Sequence, residues 1–200
     1  MKTINILIIL LTCMLSDSCL ENPMPRISYG FINAEVNGKQ WNKTYNNAYQ
    51  ATYARDGTYG SAIPCETYTT LSSELYNEDN YLRQTFLFIK LHPEKGRYEI
   101  VPFVNGYCDE RDPVYANFHT WTSDGDVLGD NYSVLSGEDN FFEIESYNSN
   151  TREMKGKFEV TFVLERQGWG HFLADTLRFK NGRFHTKIIP PAKQRGPFRL

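Results

Sequence analysis

The chain has 200 residues, a net charge of −3 and a pI of about 5.8. That balance is too mild for a partner recognised through phosphate charge, so nucleic acid is not expected. The length suits one domain with a real core, and 13 Tyr and 13 Phe favour strands over helices.

The N-terminus carries the most specific signal. Met1-Lys2-Thr3 precedes the apolar run Ile4 to Leu15, followed by Ser16-Asp17-Ser18-Cys19. The run is too short to cross a bilayer, which takes about 20 residues, and it matches the length of a signal-peptide core. A short basic start, an apolar stretch and small residues before a cysteine resemble a bacterial lipoprotein signal. Such a signal is cut at the cysteine, whose thiol is acylated. Residues 1–18 are therefore expected to be the signal peptide and Cys19 the lipidated residue, with Cys13 the competing site. Residues 19–28 read as a tether that Pro23 and Pro25 keep extended. The leader takes Lys2 and Asp17 with it, one charge of each sign. Cys65 and Cys108 then remain, and an exported chain in an oxidising compartment can pair them. Neither has the spacing of a metal ligand around it.

From residue 29 to 189 the chain reads as strands and turns. Phe31 to Val36 alternates, Asn37-Gly38 is a tight-turn signal, and Trp41 opens the next segment. Ala48 to Ala54 predicts a strand with Tyr49, Ala51 and Tyr53 on one face. Cys65 to Asn80 is polar, with a short helix expected near Leu71 to Tyr76. Thr85 to Leu91 is apolar on both faces, which predicts a central strand. His92 to Gly96 is a turn, and Tyr98 to Phe103 is expected to return beside Thr85 to Leu91 as a hairpin.

Val114 to Thr122 and Tyr132 to Leu135 are further strands, and Phe141 to Tyr147 should pair with Lys157 to Leu164. In the last of these Phe158, Val160, Phe162 and Leu164 share a face, the clearest alternation in the chain. Thr176 to Ile188 reads as a hairpin with Asn181-Gly182 at its tip, placing Arg178, Lys180, Arg183, His185 and Lys187 on its outer face. Residues 190–200, with Pro190, Pro191 and Pro197, form an extended tail. The expected fold is all-β: an antiparallel β-sandwich or a calycin-like open barrel.

Two stretches carry a family resemblance. One is Ala34-Glu35-Val36-Asn37-Gly38-Lys39-Gln40-Trp41. The other combines Gly156-Lys157-Phe158-Glu159-Val160-Thr161-Phe162 with Asn181-Gly182-Arg183-Phe184. Their order resembles a group of Bacteroidota lipoproteins whose all-β domain has no assigned function, with the pattern A-x-V-N-G-x-x-W near the start and G-x-F-x-x-x-F … N-G-x-F near the end. The match covers the two ends well and the middle poorly. The resemblance implies a domain held in the cell envelope by a lipid at the outer membrane of a Gram-negative bacterium, periplasmic or surface-exposed, with no enzyme and no cofactor. Trp41 and Gly156 are expected to serve packing.

No catalytic motif emerges. G-x-S-x-G, H-E-x-x-H and phosphate-binding glycine loops are missing from the sequence. His92, His119, His171 and His185 form no spaced ligand pair. Asp124, Asp126 and Asp130 resemble part of a calcium loop, but Leu128 and Leu135 stand where further ligands belong, so an acidic hairpin loop is the simpler account. Carboxylates are plentiful enough for a hydrolase, yet none is singled out. Asn42-Lys43-Thr44 and Asn131-Tyr132-Ser133 match the N-glycosylation pattern, which needs a eukaryotic route that the leader argues against.

Two surfaces are candidates for ligand contact. Tyr45, Tyr49, Tyr53 and Tyr59 cluster in sequence and offer rings for stacking on a glycan, although half-buried packing is the commoner fate of strand tyrosines. The basic face of Arg178, Lys180, Arg183 and His185 suits anionic glycan or lipid phosphate, or simply a solvated edge that resists strand addition. The leading expectation is a lipid-anchored envelope protein with a binding or structural role and no catalysis. A glycan- or small-ligand-binding module is the alternative, and a hydrolase with an unrecognised acidic site a further one.

Overall fold

A computed structural model describes residues 27–57, 68–103 and 113–190. The expected lipidation sites Cys19 and Cys13, the expected disulfide of Cys65 and Cys108, Tyr59 and the tail from Pro191 onward lie outside the described residues.

The domain is all-β. Its strands are β1 (Gly30–Val36), β2 (Lys39–Gln40), β3 (Tyr49–Gly57), β4 (Tyr68–Tyr76), β5 (Leu82–Leu91), β6 (Gly96–Pro102), β7 (Val114–Trp121), β8 (Leu128–Val134), β9 (Phe141–Asn148), β10 (Glu153–Arg166) and β11 (Thr176–Ile189). They form one mostly antiparallel sheet of 11 strands. Eight of them close a ring in the order β11-β3-β4-β5-β7-β6-β9-β10. The ring is not a regular barrel. β8 fills the gap between one half of β7 and one half of β10, while β6 and β9 fill the other. Two joints are parallel, β6 to β7 and β3 to β11, and the second has only the pairs Ile188↔Ala54 and Ile189↔Arg55.

Where the β3–β11 joint is short, β1 stands against β11, and side chains supply its missing link to β3. Gln50 Oε1 accepts from Ile32 N–H (3.1 Å), and Gln50 Nε2 donates to Ile32 O (2.8 Å). Ser28 Oγ accepts from Thr52 N–H (3.0 Å), and Tyr29 N–H donates to Thr52 O (2.7 Å). Arg152 adds an ion pair to Asp56 of β3 and a carbonyl for Ile188 N–H of β11. Polar backbone groups that would otherwise be orphaned are thereby satisfied.

Aromatic side chains fill the interior. Phe86, Phe88, Phe118, Phe142, Phe158, Phe162 and Phe179 are buried and meet one another at ring centroid distances of 4.7–6.1 Å. Trp41, in a single 3-10 turn after β2, is wholly buried and packs edge-on to Phe86, Phe118 and Phe179. Such offset and edge-to-face contacts are the favoured aromatic arrangement. They occupy the space in which an open calycin holds its ligand. Gly156 serves packing as expected: a Cβ there would lie 1.9 Å from Glu143 O, where β9 and β10 cross at a register shift.

Three sequence expectations are corrected. Leu71 to Tyr76 is part of a buried strand, β4, rather than a helix. Its polar residues are masked by neighbours: Ser73 bonds Thr52 (2.8 Å), and Glu74 accepts the Tyr53 and Tyr76 hydroxyls. β5 and β6 do not form a hairpin, because β7 pairs with β5 and β6 lies beyond β7. The turn at residues 92–95 is a crossover, which local turn chemistry does not distinguish from a hairpin.

Third, Asn181-Gly182 is not a tip. β11 runs straight through it as one 14-residue strand. Phe158 and Val160 pair with Gly182 and Phe179, while Asn33 and Glu35 pair with Arg183 and Lys180, so β11 holds one extra residue against both neighbours. The extra residue is Asn181, with φ of 55°. A bulge and a type I′ turn both ask for a left-handed residue, and Asn supplies it in either. Gly182 follows because a Cβ there would lie 2.5 Å from Phe158 O.

Candidate functional site

Four connections meet at one end of the ring: β2 to β3, β4 to β5, β7 to β8, and β10 to β11. β1 fixes the first of them. Asn37 and Gly38 have φ of 50° and 79°, the two left-handed residues of the expected tight turn. The Asn37 side chain then continues the ladder to β11, donating to Thr176 O and accepting from Arg178 N–H, both at 2.9 Å.

The β10–β11 connection, residues 167–175, is pinned from beneath. Asp130 of β8 is buried; its Oδ1 accepts from Gly168 N–H (2.9 Å) and its Oδ2 from His171 Nδ1 (2.8 Å). His171 Nε2 lies 3.5 Å from Asp175. The ring nitrogens thus face two carboxylates, Asp130 of β8 and Asp175 of the connection itself. Tyr132 donates to Ala174 O at 3.3 Å, and burial, then Asp130 and Asp175, push its phenol pKa upward. The clamp leaves two aromatic residues of this connection outside, Trp169 at 87% exposure and Phe172 at 48%, while Leu173 packs against the core.

Two cavities of about 540 Å³ each open at this end, within the size range of small-ligand sites. The first lies over Trp41 and Phe179 and is rimmed by Lys39, Lys43, Phe172 and Leu173. Beneath it Trp41 Nε1–H donates to Gln84 Oε1 (2.6 Å), and Gln84 Nε2 donates to Tyr45 OH (3.1 Å). The second is a groove between Trp169 and Trp121, with Arg83, Ser123, Asp124 and Val127 along it. The Trp121 indole is fixed by a bond from Nε1–H to Thr85 Oγ1 (2.9 Å) and by the edge of His119, 5.5 Å away.

Arg83 stands between the two cavities. Its guanidinium lies 5.3 Å from the Tyr45 ring and 5.9 Å from the Phe172 ring, close enough for cation–π attraction. Its Nε is buried without a hydrogen-bond partner, and among the described residues it forms no ion pair. Asp124 accepts from the Thr122 hydroxyl (2.5 Å), which with the neighbouring Asp126 holds its carboxyl below the usual range; Asp126 is raised in turn by Asp124.

The other sequence candidates fall elsewhere. Asp124 and Asp126 sit in the exposed turn, whereas Asp130 is committed to Gly168 and His171, so the three carboxylates do not converge on one point. Among the described residues no group of three or more His, Cys, Asp or Glu side chains is placed to hold a metal ion. Tyr49 packs on Tyr76 at 5.9 Å, and the Tyr53 hydroxyl donates to Glu74 (3.0 Å); the two make a packed wall rather than a cleft. Burial first, then Glu74, raises the Tyr53 phenol.

Arg178, Lys180, Arg183, His185 and Lys187 do share the outer face, because the bulge restores the phase that a straight strand would lose. β11 is no edge, however: β1 and β10 flank it. Lys180 pairs with Glu159 (2.6 Å) and His185 lies 3.9 Å from Glu153, so part of that charge is answered by β10. Sequence reasoning missed Trp169, Trp121 and Arg83. Trp169 had a signal, an indole between two glycines outside any strand.

No family model matches the chain, and no curated protein or solved structure matches it either.

Proposed function

We propose that this chain is a lipid-anchored, non-catalytic module of the bacterial cell envelope that binds a ligand at the loop end of its β ring. The observation that carries the reading is the filled interior. Because Phe86, Phe88, Phe118 and their neighbours occupy the ring, ligand contact falls to the surface, and the two cavities above, formed by the described residues, lie at one end of it. Asp130 and His171, the pair that most resembles catalytic equipment, spend their polar atoms on holding the 167–175 connection. The anchor rests on the leader and on the resemblance carried by Ala34 to Trp41 and Gly156 to Phe162.

Cys19→Ala tests the anchor. The variant should lose incorporation of labelled fatty acid and leave the membrane fraction, either as soluble protein or as unprocessed precursor. Undiminished acylation with an unchanged membrane fraction would refute it.

A further inference from the structure

We infer that the groove between Trp169 and Trp121 is a carbohydrate site that takes a neutral pyranose unit of a glycan. The inference rests on the loop end being the binding end, but not on the anchor. A largely exposed indole costs hydration free energy in the unbound protein, and Trp169 at 87% exposure makes no ring contact among the described residues. The chain holds it there at some expense, since the Asp130–His171 clamp fixes both sides of its loop. An indole face is a flat apolar surface of the size of a sugar ring, whose C–H face is also apolar.

The polar residues narrow the choice. Arg83 and Asp124 line the same groove with opposite charges and do not pair with each other. An anionic ligand would gain from Arg83 and be repelled by Asp124; a cation would meet the reverse. Neighbouring hydroxyls on a neutral sugar satisfy both, accepting from the guanidinium and donating to the carboxylate. Arg83 is braced between Tyr45 and Phe172, so little side-chain freedom is lost when it binds. Thr122 keeps Asp124 ionised and oriented.

The test is titration of the purified full-length chain, in a detergent without a sugar headgroup, with hexamers of glucose (α- and β-linked), xylose, mannose, N-acetylglucosamine and galacturonic acid. Binding is read by calorimetry and by the blue shift of tryptophan emission. At least one neutral hexamer should bind. Trp169→Ala should weaken it by about tenfold or more, Arg83→Met and Asp124→Asn should each weaken it severalfold, and Trp169→Phe should restore part of the loss. Circular dichroism of Trp169→Ala should be unchanged, since that side chain lies outside the core. Binding confined to the galacturonic acid hexamer overturns the proposal. So does binding that resists Trp169→Ala but is lost in Lys43→Glu, which moves the ligand to the neighbouring cavity and spares the loop end as binding end. No binding by any hexamer at millimolar concentration overturns the carbohydrate assignment outright.

Discussion

His119 is held neutral by its surroundings. Burial depresses its imidazole pKa to about 4 from an ordinary 6.5. Between those values the unfolded chain takes up a proton that the folded chain refuses. Its contribution to stability is therefore complete above pH 6.5 and is lost as the pH falls toward 4. His119→Gln should flatten the fall in Tm across that window while leaving stability at neutral pH little changed. Equal slopes in the two proteins would show that the imidazole is not excluded from water. His119 and Trp121 stand two residues apart on one strand, which puts them on the same face, and the rings do meet. The depressed pKa of His119 was not legible, because desolvation comes from residues distant in sequence. Trp41 and Gly156 were readable for the opposite reason: a large indole after a tight turn and a glycine before an alternating strand have few roles besides packing.

The strands were readable where one face is apolar and the other polar, as in β10 and β1. Reading succeeded for β5, apolar on both faces, and failed where both faces are covered but the covered residues are polar. β4 carries Thr69, Ser72, Ser73 and Glu74, all buried, and its polarity suggested a loop or helix. Asn181-Gly182 failed differently, since two backbone structures demand the same dihedral angles from the same residues. The β1–β3 contact exposes a further limit: it depends on one glutamine side chain doing the work of a peptide group. Gln50→Ala should leave Ile32 N–H and C=O without their partners and cost about 1–2 kcal/mol in denaturant unfolding. A loss below about 0.5 kcal/mol, the scatter of ordinary surface changes, would mean that the gap is closed by other contacts.

For the whole molecule, the all-β class followed from composition and turn spacing, but the closure of the ring did not. Two parallel joints and the shared gap filled by β6, β8 and β9 depend on pairings between distant segments, which no local pattern encodes. The cysteines bear on stability at this scale. The segments that carry them leave the described fold at Tyr68 and Phe103, and both residues pack in one cluster with Tyr115 on the outer face of the ring. Cys65 and Cys108 in the mature chain should accordingly resist alkylation until reduced. A bridge between them would close a loop of about 44 residues, and its removal would then cost about 4 kcal/mol on the chain-entropy account. Free labelling of both thiols in the native, unreduced protein would contradict this.

The direction of β1 has a mechanical consequence. It begins near the first described residues and ends at the cavities, and its 7 residues put about 20 Å between the two. If the chain is held by its N-terminus as proposed, Trp169 faces away from the point of attachment. Tension between ligand and anchor would draw β1 and β11 past each other along their length, since both are then pulled from their N-terminal ends. Six residue pairs resist together in that geometry rather than yielding one after another.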